Sequence, residues 1–161
     1  MDSNQSFTRN QNIIFMRLLI TAIILFFYLN FYSQNHVKWT FEYDNISKAI
    51  VAYGKIDSTW HTYSIHNNNN SGPVPTSLTI EKGKGFKILG NAHEKSTPKK
   101  IFDANFDSEL FIIDILYVAQ VPIKIKKESN VSGKVTYMVC DDSKCYPPID
   151  VPFTINVKPE N

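Results

Sequence analysis

The residues most able to do chemistry lie in the stretch YMVCDDSKCYPP, residues 137–148, which holds both cysteines of this 161-residue chain. Cys140 and Cys145 are close enough in sequence to close a small disulfide ring. Two cysteines in a protein outside the cytoplasm form either a structural cross-link or a redox pair that opens and closes by exchange. The residues around the pair help to separate these two uses.

The size of the ring weakly favours the redox use. Chain-entropy arithmetic gives a bridge this short about 2 kcal/mol of stabilisation, against nearly 5 kcal/mol for one that closes about 100 residues. A bridge that served stability alone would be better placed between two sheets.

The charges on the two sides of the ring are unequal. Asp141 and Asp142 follow Cys140 and disfavour its thiolate, whereas Lys144 precedes Cys145 and favours the thiolate there. Because only a thiolate attacks a disulfide, this pattern predicts Cys145 as the attacking sulfur and Cys140 as the resolving one. The two aspartates either tune the pair or are simply solvated on a turn.

The residues after Cys145 predict an open edge. Pro147 and Pro148 lack amide hydrogens and prevent full pairing into a sheet, and Tyr146 offers a flat apolar surface to a partner. The alternative is that the two prolines only end a strand. A copper(I) site made by Met138 and the two cysteines is another use of soft sulfur ligands, although no methionine cluster or neighbouring histidine supports it.

Other chemistry is not indicated. The four histidines, at positions 36, 61, 66 and 93, lack metal-ligand spacing, and His61 and His66 are predicted to lie on the surface. No Ser-His-Asp set, paired-carboxylate site or phosphate loop stands out, and the GKG at 83–85 is predicted to be a turn. A net charge of +2 with scattered lysines argues against nucleic acid or a polybasic membrane patch.

The N-terminus is typical of an export signal. Arg9 and Arg17 precede the charge-free run LLITAIILFFYL at 18–29, and Ser33 is a small residue at a plausible cleavage edge. We therefore predict a signal peptide over residues 1–34, with Met16 as an alternative start. Cleavage sites favour small residues just before the cut, and Phe31 is large. The segment is therefore either removed or kept as a membrane anchor. The remainder is expected outside the cytoplasm, in the periplasm or at the periplasmic face of the inner membrane.

Residues 35–161 are predicted to form an all-β sandwich. The segment VKWTFEY at 37–43 alternates apolar and polar residues with the period of a half-buried strand. Further strands are predicted at 48–56, 59–65, 77–81, 86–89, 110–118, 133–139 and 151–157. Residues 90–109 are predicted to be polar and irregular. Eight or nine short strands without an amphipathic helix indicate a sandwich, preceded here by an N-terminal signal or anchor helix.

Three stretches resemble a known family: VTYMVCDDSKCYPP, WHTYSI and GPVPTSL, in that order of specificity. They are similar to the N-terminal extracytoplasmic domain of the thiol:disulfide interchange protein DsbD, also called the disulfide bond corrector family, over residues 37–157. The resemblance implies an immunoglobulin-like fold and a redox relay at the cysteine pair. In this family the attacking cysteine is the second of the pair, which falls on Cys145.

The resemblance also implies the surroundings of the pair. Aromatic residues of the WHTYS strand, here Trp60 and Tyr63, flank the cysteines in the family. A cap loop with an aromatic tip shields them, and its counterpart here is FDANFDSEL, with Phe106 as the tip and Phe102 as the second choice. The alternative for Trp60, Tyr63 and Phe106 is ordinary sandwich core. No diffusible cofactor is expected, because the sulfurs are themselves the redox centre.

The family's partners are implied in the same way. A thioredoxin-like protein reduces the pair, which then reduces periplasmic oxidoreductases, including disulfide isomerases and cytochrome c maturation thioredoxins. Family members continue into a membrane electron transporter and a thioredoxin-like domain, whereas this sequence ends at Asn161. We therefore expect the transporter to act in trans. The rival interpretation is a non-catalytic binding or structural sandwich with a static disulfide.

Overall fold

The computed structural model of the protein describes residues 16–17, 36–67 and 72–159. The chain separates into two compact units, residues 1–35 and 36–161. In the first unit only Met16 and Arg17 are described, and both are helical. The predicted signal segment otherwise lies outside the described residues, so the predicted N-terminal helix gains no support. None of the helical residues described belongs to a helix long and apolar enough to cross a membrane.

The described part of the second unit is built from strands. They are β1 (Val37–Asp44), β2 (Ala49–Ile56), β3 (His61–Tyr63), β4 (Ser77–Ile80), β5 (Phe86–Ile88), β6 (His93–Glu94), β7 (Lys99–Asp103), β8 (Ser108–Ile113), β9 (Leu116–Ile125), β10 (Ser129–Tyr137), β11 (Val139–Cys140) and β12 (Ile149–Val157).

Two antiparallel layers enclose the main core. One layer has the order β1-β2-β9-β5, with β6 also paired to β9, and the other has the order β12-β10-β4. Strict alternation in β10 buries every second residue, among them Val131, Val135 and Tyr137, while the alternate residues stay more exposed. Side chains from both layers meet in one cluster, where the rings of Phe41 and Phe153 stack at 4.2 Å between centroids.

A third set of strands, in the order β11-β3-β8-β7, positions the cysteines. It is continuous with both layers, because β10 leads into β11 through Met138 and β8 leads into β9 through Asp114 and Ile115. A second, smaller apolar cluster lies on this sheet around Tyr63, Leu110, Ile112 and Cys140. The site therefore has a core of its own beside the main core.

The predicted all-β sandwich is confirmed, and two of its details are wrong. Residues 90–109 are not irregular throughout, since Lys99–Asp103 form β7 and pair with β8. The apolar run at 110–118 is not one strand, because the chain leaves β8 at Asp114 and enters a different sheet with β9. A run that is apolar on both sides of such a break gives no periodic signal of where one strand ends.

Candidate redox site

The two cysteines form a disulfide at the tip of a narrow hairpin. Cys140 ends β11, and an isolated antiparallel bridge pairs it with Cys145, with Cα atoms 4.1 Å apart and sulfurs 2.03 Å apart. Cys140 is completely buried, whereas Cys145 is half-buried. Cys145 is therefore the more accessible of the two cysteines.

The turn that joins the cysteines is closed by Asp141. Its Oδ1 accepts hydrogen bonds from the Ser143 amide and hydroxyl, both at 2.8 Å, and from the Lys144 amide at 2.9 Å. The Asp141 amide in turn donates to the Lys144 carbonyl at 2.9 Å. These bonds, led by the Ser143 amide, lower the pKa of Asp141. Asp141 thus shapes the turn, while Asp142 is exposed to solvent.

Beneath the disulfide lies a buried polar group. The hydroxyl of Tyr63, on β3, donates to Asp103 Oδ2 at 2.6 Å and lies 3.7 Å from the Cys145 sulfur. Asp103 is buried at the end of β7, where its Oδ1 also accepts the Asn105 amide at 2.8 Å. Burial raises the pKa of Tyr63, and the bond to Asp103 raises it further, so the phenol keeps its proton.

His61 belongs to this buried group, and its predicted surface position is wrong. Its ring is buried, with Nε2 3.4 Å from the Tyr63 hydroxyl and 3.6 Å from Asp103 Oδ2. Burial lowers the pKa of His61, although the Asp103 carboxylate opposes that shift. His66, in contrast, is exposed as predicted. The sequence pointed to neither His61 nor Asp103 as part of the site, because their meeting depends on the pairing of strands distant in sequence.

The predicted cap residue lies beside the cysteines. Phe106 occupies the turn between β7 and β8 and packs on the small cluster, as does Cys145. Its ring meets the Tyr63 ring edge-on, with centroids 5.7 Å apart. Phe102, the second choice for the tip, lies on β7 and is 65% exposed. The structure thus brings Phe106 to the site and leaves Phe102 on the surface.

A second aromatic group borders the turn. Tyr146 stacks with Trp60 at 5.4 Å, and Trp60 stacks with His36 at 3.7 Å with planes 5° apart. The Lys144 ammonium lies 5.4 Å from each of the Trp60 and Tyr146 ring centroids. Trp60 packs in the main core, as the alternative for it states, and it meets the turn through Tyr146 and Lys144. Its role beside the cysteines stays a prediction.

The sulfur chemistry of the site extends to Met138. Met138 and Cys140 lie on the same side of the chain, as alternation requires, and both contact the small cluster. The Met138 sulfur accepts the Val74 amide at 3.1 Å. Among the described residues, no group of three or more histidine, cysteine or acidic side chains is arranged to hold a metal ion. The copper(I) alternative stays a prediction.

Fold and site together define a class of protein: a β-sandwich that carries a disulfide, with one enclosed and one accessible sulfur, in an edge hairpin. Comparison with protein families gives the particular family. The family described as "Thiol:disulfide interchange protein DsbD, N-terminal" matches residues 31–156. This chain belongs to that family. No curated protein sequence matches the chain.

Solved structures agree on the fold. The N-terminal domain of DsbD from Neisseria meningitidis, crystallised in the reduced form, is 14% identical with a TM-score of 0.57, over 77% of this chain and 87% of that domain. A complex between the DsbD and PilB N-terminal domains from Neisseria meningitidis contains a chain that is 12% identical, with a TM-score of 0.56, over 80% of this chain and 92% of that one. The predicted immunoglobulin-like sandwich is confirmed.

Proposed function

We propose that this protein is an extracytoplasmic thiol:disulfide interchange module. In this proposal it passes two electrons from a thioredoxin-like donor to oxidoreductases of the cell envelope through Cys140 and Cys145. The observation that supports it most directly is the unequal exposure of the two cysteines, with Cys140 buried and Cys145 half-buried. Membership of the DsbD N-terminal family supports the same chemistry.

Each half of the cycle is an exchange at Cys145. In the first half, the Cys140–Cys145 disulfide is reduced. A donor thiolate attacks the Cys145 sulfur, and Cys140 leaves as a thiolate that takes up a proton. A second donor thiolate then attacks the donor sulfur of this mixed disulfide and releases Cys145 as a thiolate. The donor leaves with its own disulfide, and this protein holds two thiols and two electrons.

The second half of the cycle reverses these steps on another protein. The Cys145 thiolate attacks the acceptor's disulfide and forms a mixed disulfide, while one acceptor sulfur leaves as a thiolate. Cys140, which holds its proton in the reduced protein, then gives up that proton, and the resulting thiolate attacks the Cys145 sulfur, which closes the Cys140–Cys145 bond and frees the second acceptor sulfur. The acceptor gains two electrons and takes up two protons.

The neighbouring residues have roles that fit these steps. The Tyr63 hydroxyl donates its hydrogen to Asp103 and lies 3.7 Å from the Cys145 sulfur, so its oxygen is placed to accept a hydrogen bond from the Cys145 thiol of the reduced protein. Phe106 packs on the same small cluster as Cys145, where it would limit the access of water and unsuitable thiols. Tyr146 and the exposed Pro147 and Pro148 form the rim that a partner meets.

The location and the partners belong to the same proposal. The N-terminal segment directs the chain to the periplasm, where it is cleaved or kept as an anchor, and a membrane electron transporter supplies the reductant. A related DsbD N-terminal domain forms a complex with the PilB N-terminal domain, which supports a protein rather than a small molecule as the partner.

Trapping of mixed disulfides tests the proposal. A Cys140→Ser variant keeps the accessible sulfur and lacks the sulfur that releases a bound partner, so it should accumulate covalent complexes through Cys145. These complexes should appear on non-reducing gels of envelope extracts and vanish on addition of a reductant. The Cys145→Ser variant is the matched control and should give few complexes, since its remaining sulfur is buried. Monomer alone in both variants would contradict the proposal.

The rival function is a binding or structural sandwich with a static disulfide. The reduction potential of the Cys140–Cys145 disulfide distinguishes the rival from the proposed function. Structural disulfides have potentials below about −300 mV, whereas those of exchange proteins lie between about −270 and −120 mV. Equilibration of the protein with glutathione and dithiothreitol buffers measures this value. A value in the exchange range is expected, and one below about −300 mV would favour the static bridge.

A further inference from the structure

Lys144, the residue directly before Cys145, is held against two aromatic rings. Its ammonium lies 5.4 Å from the centroid of the Trp60 ring and 5.4 Å from that of Tyr146. A cation within about 6 Å of a ring face is attracted by the electrons of that face. Because the side chain is exposed, the rings rather than burial determine where its charge lies.

The two rings are themselves fixed. Trp60 is only 9% exposed and lies nearly parallel to His36, with centroids 3.7 Å apart and planes 5° apart. Tyr146 stacks with Trp60 at 5.4 Å and 13°, and His36 Nδ1 lies 3.3 Å from Asp57 Oδ2. The residue before β1, the β2–β3 connection and the segment after Cys145 thus meet in one stack, which we call the aromatic platform (His36, Trp60 and Tyr146).

The backbone of Lys144 is fixed as well. Its amide donates to Asp141 Oδ1 at 2.9 Å, and its carbonyl accepts the Asp141 amide at 2.9 Å. The Tyr146 amide donates to the Val139 carbonyl at 3.0 Å, which fixes the residue after Cys145. The backbone of Lys144 and the end of its side chain are therefore both restrained, one residue before Cys145.

We propose that Trp60 and Tyr146 position the Lys144 ammonium so that its charge stabilises the thiolate of Cys145 in the reduced protein. This inference rests on the proposed function and deepens it, because it assigns the attacking character of Cys145 to a specific contact. Lys144 acts on the sulfur through its charge, and the two aromatic residues are positioning residues.

The charges that face the same sulfur partly oppose this effect. Asp141 and Asp142 lie in the turn, and Asp103 faces Cys145 through the Tyr63 hydroxyl. The carboxylate oxygens of Asp141 and Asp103 already accept hydrogen bonds, and these bonds weaken the repulsion between each carboxylate and a Cys145 thiolate. His61 contacts Tyr63 and Asp103, while His36 lies beneath Trp60. Lys144 is thus the cation adjacent to Cys145 in the turn.

The ionisation of a lone Cys145 thiol tests the proposal. In a Cys140→Ser background, absorbance at 240 nm against pH measures the thiolate directly. Lys144→Met should weaken ionisation by about three- to tenfold, the effect of one nearby charge in a surface environment. Lys144→Arg should stay near the parent. Lys158→Met, on a lysine whose ammonium lies 3.6 Å from Glu128, is the control and should change nothing. An unchanged Cys145 pKa in Lys144→Met would overturn the proposal.

A second pair of variants tests the platform. Tyr146→Leu removes the ring and should raise the Cys145 pKa, whereas Tyr146→Phe keeps the ring and should not. In a Lys144→Met background, Tyr146→Leu should have no further effect, because it acts only through the lysine. A shift of the same size with and without Lys144 would overturn the positioning role. Near-ultraviolet circular dichroism confirms the fold of each variant, and the Lys144 series decides alone if Tyr146→Leu does not fold.

These results are independent of the trapping experiment. If Cys145 ionises as expected and never forms mixed disulfides, the proposed function fails and the Lys144 inference stands. If mixed disulfides form and Lys144→Met leaves the Cys145 pKa unchanged, the inference alone fails.

Discussion

At the scale of single residues, the polar group beneath the disulfide is unusual for a sandwich interior. Tyr63 and Asp103 are both buried, and the short bond between them satisfies a carboxylate that would be costly to bury alone. The His61 ring is a third polar side chain in the same small volume. Such a group is maintained in a core only where each member has a partner, so its loss should be measurable.

The Tyr63→Phe substitution should destabilise the oxidised protein by about 1–3 kcal/mol, because the buried Asp103 carboxylate loses one of its donors. Tyr53→Phe is the matched control, since its hydroxyl donates to Glu42 at 2.9 Å on the surface, where water replaces it. Urea unfolding of both variants measures the difference. Equal losses of stability would show that burial of the Asp103 contact is unimportant.

The residues of the site were predictable to different degrees. The cysteines are visible in the sequence, and Tyr63 and Phe106 follow from the family resemblance. His61 was misjudged because its neighbours in sequence do not reveal that β3 lies between β11 and β8. The contact of His36 with Trp60 likewise joins residues far apart in the chain. Contacts of this kind depend on strand pairing, which local patterns do not encode.

At the scale of elements, alternation predicted most strands within a few residues. The segment at 37–43 became β1 over Val37–Asp44, and the segment at 151–157 became the end of β12 over Ile149–Val157. β7 was missed because Lys99 and Lys100 make it polar, although it pairs with β8 throughout its length. Pairing with a neighbour, rather than its own composition, makes that segment a strand.

The central strand β10 allows a test at this scale. A Cβ at Gly133 would lie 2.2 Å from the Thr79 carbonyl oxygen and 2.8 Å from the Phe153 ring, so Gly133→Ala forces β4 or β12 to shift. We expect a loss of about 1–3 kcal/mol in urea unfolding. Gly90→Ala is the control, since its Cβ meets only Pro122 at 3.4 Å. Similar unfolding midpoints for the two variants would contradict this packing.

At the scale of the whole molecule, the disulfide is separate from the main core. Its small cluster lies on the sheet β11-β3-β8-β7, whereas the large cluster lies between the other two layers. The hydrogen bonds of the turn also close the hairpin without the sulfur–sulfur bond. Opening of the bond should therefore leave the sandwich intact.

Reduction should accordingly cost little stability. A ring this small contributes about 2 kcal/mol, which corresponds to a fall of about 8 °C in Tm for a domain of this size. Calorimetry with and without a phosphine reductant measures the change, and the double variant Cys140→Ser/Cys145→Ser should behave like the reduced protein. A reduced protein that is unfolded at 25 °C would show that the bridge is a structural requirement.

The burial of Cys140 beside a half-buried Cys145 has a consequence for traffic through the domain. Within the proposed function, electrons arrive and depart through the sulfur of Cys145. The electron donor and the electron acceptor therefore need the same binding site and must occupy it one after the other. An abundant donor would then slow electron transfer to the acceptor, because it would rebind at Cys145 before the acceptor does. The rate of electron delivery in the envelope would depend on how fast each partner dissociates as much as on its affinity.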